Sequence, residues 1–188
     1  MEEIKNLEKA AERIKKAVLK KERIILYADS DLDGISSAVI LHEAIQNIGG
    51  TVFEVLFPDR ENDGYGLNVR ALEYLKPQAP ALLVTLDLGI GNVTEVEIAN
   101  QSGFEVIIID HHRVLDSIPD ASIIVNPQLG QEESLKTLCN AGITLALAKE
   151  LLGRNISESV RNSFFELAAL ATISDMMPQV GENKMIIE

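Results

Sequence analysis

The sequence of 188 residues has one cysteine, no tryptophan and few aromatics, three Tyr and five Phe. The lone Cys139 can build no internal disulfide framework and has no second thiolate with which to share a metal. It therefore reads as a small core residue. No run of roughly 18 apolar residues occurs, so no membrane-spanning helix is expected. The N-terminus is charged from Glu2 onward and lacks the apolar core of a signal peptide, which makes a cytoplasmic location the expectation. Positive charge is also short: 17 Lys and Arg stand against 29 Asp and Glu, a formal net charge of −12. Phosphate contacts need clustered cations, so no basic nucleic-acid stripe is expected. Excess carboxylate suits a protein that holds cations, although two divalent ions would bring −12 only to −8. At 46% hydrophobic and 24% charged, the composition that remains is that of an ordinary globular domain with a real core.

Residues 2–20 place Ile4, Leu7, Ala11, Ile14 and Val18 at spacings of three and four, which predicts an amphipathic helix. Strands are expected at 23–28, 51–57, 81–88, 104–110 and 121–126. Helices are expected at 34–50, 68–76, 92–102, 134–152 and 157–173, the first closed by Gly49 and Gly50. The last residues, "ENKMIIE", look strand-like and end without a stop signal, as if the chain continued. Alternating strands and helices imply an α/β fold, a doubly wound and mostly parallel sheet. Nearly continuous apolar strands agree with a sheet covered on both faces.

Acidic residues follow the predicted strands. "RIILYA" leads into Asp29, Asp31 and Asp33; "LLVTL" into Asp87; "EVIII" into Asp110, His111 and His112. The helix "FFELAALATIS" delivers Asp175. Taken singly, an Asp after a strand reads as a helix N-cap or a turn residue, and His42 reads as a structural or surface residue. Taken together, these side chains can converge beyond the carboxyl edge of the sheet, where α/β proteins gather ligands. Hard oxygen donors with an imidazole suit Mn²⁺ or Mg²⁺. Carboxylates so crowded do not all stay ionised without a cation, and the stretch 29–33 contains none.

In this order "DSDLDG", "VTLDLGIGN", "IIIDHH" and "ATISDMMP" resemble the motifs of the DHH phosphoesterase superfamily. "PDRENDGYGLN" (58–68), "VNPQ" (125–128), "NAGITLALAKEL" (140–151) and "GENK" (181–184) are similar to its RecJ-like branch of single-strand-specific exonucleases. The resemblance spans roughly residues 21–188. It implies a site for two divalent ions: Asp87 bridging them, Asp31 with Asp29 on the first, and Asp33, His111 and Asp175 on the second. It further implies that Asp110 orients the histidines and that His112 faces the phosphate or passes a proton to the leaving oxygen. Arg60, Arg70 and Arg113 lie near these motifs and are candidate phosphate contacts, with surface ion pairing as the ordinary alternative for each. The sequence departs from many members at Tyr27, where they keep a histidine ligand. The first ion would then rest on Asp29, bind weakly or arrive with substrate.

The expected function is metal-dependent hydrolysis of single-stranded nucleic acid, DNA rather than RNA, in repair, recombination or replication, with partner proteins from those processes. Residues 1–188 would be the catalytic domain, opened by a helix at 1–20. The further nucleic-acid-binding domain of RecJ-like proteins has no counterpart here, which suggests a fragment. A small-molecule phosphoesterase acting on oligonucleotides, cyclic dinucleotides or pyrophosphate, and a non-catalytic replication or repair scaffold, remain as alternatives. A Ca²⁺ module of the EF-hand type is disfavoured, because the loop at 29–34 lacks the twelve-residue spacing and terminal Glu.

Overall fold

The computed structural model describes residues 4–62, 64–115, 117–153 and 156–188. Residues 2–3 of the first expected helix and Asp63 of the 58–68 segment lie outside these. Five parallel strands form one sheet: β1 (Ile24–Ala28), β2 (Val52–Leu56), β3 (Ala81–Leu86), β4 (Phe104–Ile109) and β5 (Ile123–Val125), in the order β2-β1-β3-β4-β5. Every residue of β1 and β3 is buried, as expected of a parallel sheet with helices on both faces.

Side chains alternate across the strands and feed two cores. Ile24, Leu26, Val84 and Ile107 pack under α1 (Leu7–Lys20), α2 (Leu32–Asn47), α5 (Asn140–Leu152) and α6 (Glu158–Ser174). Ile25, Tyr27, Leu83 and Ile108 pack under α3 (Val69–Leu75) and α4 (Val93–Gln101). Cys139 is fully buried in the first core, its Sγ 3.3 Å from Thr172 Oγ1. Among the described residues, no helix is long and apolar enough to cross a membrane.

Two expectations are corrected. The segment 134–152 is not one helix. A 3₁₀ turn at Glu133–Thr137 is followed by extended Leu138 and Cys139 before α5 begins. That break aims the free amides of α5 at a carboxylate, as described below. The end of the chain is α7 (Gly181–Ile187), a helix rather than a strand. Asn183 and Ile186, three apart, both face inward, and the Asn183 amide donates to Thr137 O and Pro178 O.

The chain runs from β1 outward to β2, then crosses back to place β3 on the other side of β1. The carboxyl ends of β1 and β3 therefore flank the point where the winding reverses, and the loops leaving them part to opposite faces. A crevice at such a point is the usual ligand position in open α/β sheets.

Candidate metal centre

Each strand end supplies its acid through a distinct local device. After β1 the chain turns sharply into α2, with Asp31 as N-cap accepting from Gly34 N–H at 3.0 Å. The turn needs glycine at 34, because a Cβ there would lie 2.3 Å from Asp29 O. This closes the "DSDLDG" loop tightly enough for Asp29, Asp31 and Asp33 all to meet the site. Asp33, in the first turn of α2, is 1% exposed and accepts from Asn140 N–H (2.7 Å) and Ala141 N–H (2.6 Å) at the start of α5. Two amides at a helix N-terminus form a natural seat for a carboxylate.

Asp87 leaves β3 in the left-handed conformation, φ 63°. The amide of Asn140, oriented to satisfy both of its ends, supports this turn. Its Oδ1 accepts from Asp87 N–H and its Nδ2 donates to Ile109 O, each at 2.9 Å. After β4, Asp110 is 1% exposed and grips His112 through Nδ1 at 2.8 Å and through the backbone N–H at 3.0 Å. Its other oxygen accepts from Ile90 N–H at 2.9 Å. Its hold is thus on His112. His111 instead points into the acid cluster. Its Nε2 lies 3.2 Å from Asp87 Oδ1, 3.7 Å from Asp175 Oδ2 and 3.8 Å from Asp33 Oδ2.

Three sets of ligand atoms result, each within metal-binding reach: Asp29 with Asp31 and Asp87; Asp33 with His111 and Asp175; and Asp87 with His111 and His112. All six residues expected as metal ligands therefore meet, with Asp87 between the first two sets. Asp87 Oδ1 is buried and, among the described residues, accepts no hydrogen bond. A buried carboxylate oxygen without a donor is costly unless a cation answers it, so the donor set fits hard divalent ions.

The protonation states carry the same signature. Burial, then the charges of Asp33 and Asp31, push Asp87 up to about 10. Burial raises Asp33 to about 6 against the opposing pull of His111 and the two amides. Burial would also raise Asp110, yet the hydrogen bond and charge of His112 hold it below the ordinary range, and Asp110 in return raises His112. Carboxyls pushed up side by side are what burial and mutual repulsion produce, and a cation among them would reverse the shift.

Two expectations are refined. The acids at 29–33 are not without a cation: Arg60, from the loop after β2, donates through Nε to Asp29 Oδ1 (2.9 Å). Its Nη2 donates to Asp29 Oδ2 (2.5 Å) and Asp31 Oδ2 (2.9 Å). Tyr27 turns away into the second core, where its hydroxyl accepts from Asn68 Nδ2 at 2.8 Å. Arg113 follows His112 and is exposed, as is Arg70 at the start of α3. His42 is half-buried on α2, 4.0 Å from Glu43.

Other contributors carried no assigned role in the sequence. Tyr65 Oη donates to Asp87 O at 3.0 Å and lies 3.2 Å from His112 Nε2. The loop carrying Tyr65 is clamped by Asn92, which accepts from Leu67 N–H (3.1 Å) and donates to Leu67 O (3.2 Å). Gly66, at φ 93°, makes room for this clamp, since a Cβ would meet Asn92 Oδ1 at 2.7 Å. The "GYGL" and "NAG" strings were visible in sequence, but which polar atoms they would reach was not.

The model of the DHH family, N-terminal domain, matches residues 23–172. The single-stranded-DNA-specific exonuclease RecJ of Bacillus subtilis is 36% identical over 185 residues, covering 98% of this chain and 23% of that protein. The crystal structure of an exonuclease RecJ bound to manganese superposes with a TM-score of 0.88 at 28% identity, covering 98% of this chain and 47% of that one. RecJ from Thermus thermophilus in complex with Mn²⁺ gives a TM-score of 0.81 at 27% identity, over 97% of this chain and 26% of that one. The chain thus spans about a quarter of the length of that Bacillus relative.

Proposed function

The chain belongs to the DHH family, and from that premise we propose that it is the metal-holding catalytic domain of a RecJ-like exonuclease that hydrolyses phosphodiester bonds in single-stranded DNA. The observation that carries this reading is the meeting of Asp29, Asp31 and Asp87 on one side with Asp33, His111 and Asp175 on the other. Asp87 stands between them with a buried, donor-free oxygen. Mn²⁺ or Mg²⁺ held by these two sets would lower the pKa of an attacking water and neutralise charge on the phosphate.

The chain's own groups do the rest. Asp33 is locked on the α5 amides and Asp87 on Asn140, so the ligand oxygens need little reorganisation when ions bind. His112, 45% exposed in its side chain and raised by Asp110, faces the open side of the site. It is suited to donate a proton from Nε2 to the leaving oxygen while Asp110 holds Nδ1–H. Tyr65 Oη lies against the same imidazole, 3.3 Å from Nδ1 and 3.2 Å from Nε2. The net charge of −12 leaves the grip on a long strand to surfaces outside this site.

Wild type and Asp87→Ala are compared on 5′- and 3′-labelled DNA and RNA single strands with Mn²⁺ or Mg²⁺. Loss of cleavage in the variant is expected; unchanged cleavage would mean that the site is misassigned.

A further inference from the structure

We infer that Arg60 is a displaceable stand-in for one of the two cations, so that the Asp29–Asp31–Asp87 set fills with metal only after the Asp33–His111–Asp175 set. The inference rests on the reading that both sets hold metal, and it adds an order of filling and the residue that imposes it.

Asp29 is fully buried, and a bare carboxylate there would be heavily penalised by desolvation. Arg60 meets that demand with a two-pronged fork on Asp29 and a further bond to Asp31. The backbone adds further donors: Ser30 N–H donates to Asp29 Oδ1 at 2.7 Å and Gly34 N–H to Asp31 Oδ1 at 3.0 Å. Each oxygen of Asp29 and Asp31 therefore already has a donor. A divalent ion drawing on these acids competes with the guanidinium for the same atoms.

The other set differs in kind. Among the described residues, no Lys or Arg pairs with Asp33 or Asp175. Asp33 is met by two amides, Asp175 is one-third exposed, and both face His111 Nε2 at 3.8 and 3.7 Å, an imidazole that must be neutral to ligate. An ion entering there displaces no fixed charge.

Arg60 is also built to leave. It sits on the loop between β2 and α3, its side chain is 44% exposed, and its guanidinium lies over the Tyr65 ring at 5.7 Å from the centroid. An aromatic face at the mouth of the site offers the cation a resting place once it is displaced. A lysine could not reproduce the arrangement, because one ammonium does not span two carboxylates in fork geometry.

The test is calorimetric titration of the metal-free chain with MnCl₂, paired with electron paramagnetic resonance to detect two ions in contact. Wild type should show a tight and a weak class of sites, and Asp175→Asn should abolish the tight class. Arg60→Met should tighten the weak class by about tenfold or more, while the tight class moves by less than about twofold. Arg60→Gln replaces it if circular dichroism shows that the Met variant does not fold, and Arg60→Lys should fall between wild type and Met. If the Arg60 variants leave the weak class unchanged or weaken it, the guanidinium is scaffolding and the inference is overturned. If wild type takes up no Mn²⁺, or Asp175→Asn alters neither class, the metal reading itself fails and the inference falls with it.

Discussion

Asn140 and Asp87 meet across the sheet edge, the side-chain oxygen of one accepting the backbone N–H of the other at 2.9 Å. Asp87 carries a left-handed backbone there, a conformation that aspartate tolerates but does not prefer. The buried Asn140 thus links the start of α5 to the residue placed between the two ligand sets.

Asn140→Ala removes the acceptor and leaves Asp87 N–H with the Ile109 carbonyl alone. The expected cost is about 1–3 kcal/mol of stability, read by chemical denaturation. A fall in Mn²⁺ affinity should accompany it even where the variant is fully folded. An affinity equal to wild type would show that the Asp87 turn holds itself.

Asp110→Asn weakens the hydrogen bond and removes the charge that together raise His112. The imidazole then loses its proton at lower pH. If protonated His112 serves the leaving oxygen, the alkaline limb of the pH–rate profile moves to lower pH in the variant. The His112 titration followed by NMR should move in the same direction, and a fixed His112 titration would contradict the assignment of its cause.

Metal uptake should strengthen as pH rises. The folded-state value of Asp33, about 6, lies above its ordinary value of 3.8. In the metal-free protein its contribution to stability is therefore complete below about pH 4 and is lost as pH rises through about 6. Ions require the deprotonated ligand. The rise in melting temperature on adding Mn²⁺ should be larger at pH 7.5 than at pH 5.5, and binding at pH 7 should release protons. Calorimetry in buffers of different ionisation enthalpy measures that release, and zero release would contradict the raised carboxyls.

Gly34→Ala forces a Cβ to within 2.3 Å of Asp29 O. The acid loop must open, at a cost of about 1–3 kcal/mol. Denaturation and Mn²⁺ titration should both register the change, and a variant with wild-type metal binding would show the loop to be more forgiving than its geometry.

The 188-residue chain on its own should cleave short oligonucleotides in preference to long single strands, because −12 net charge opposes a long polyanion. Gel analysis of dinucleotide, decanucleotide and long single-stranded substrates reads this. Robust processive digestion of the long strand would refute it.

The sequence by itself determined the sheet. The short apolar runs expected as strands at 23–28, 81–88 and 104–110 are strands at 24–28, 81–86 and 104–109, and their alternation with helices left a parallel winding as the consistent solution. It also placed Asp29, Asp31, Asp33, Asp87 and His111 at one edge, because a parallel sheet brings all its carboxyl ends to the same side. Local pattern misjudged α7, where Met185, Ile186 and Ile187 are as compatible with a strand as with a helix. The helix buries Ile186 and lets the Asn183 amide reach Thr137 O and Pro178 O. Tertiary structure alone decided which charges answer one another. That Arg60 grips Asp29 and Asp31 from another loop, that Asn140 supports Asp87, and that α5 turns its amides on Asp33 depend on where loops land once both cores have closed. Hydrogen bonds act over about 3 Å, and no spacing along the chain encodes distances of that scale between residues so far apart in sequence.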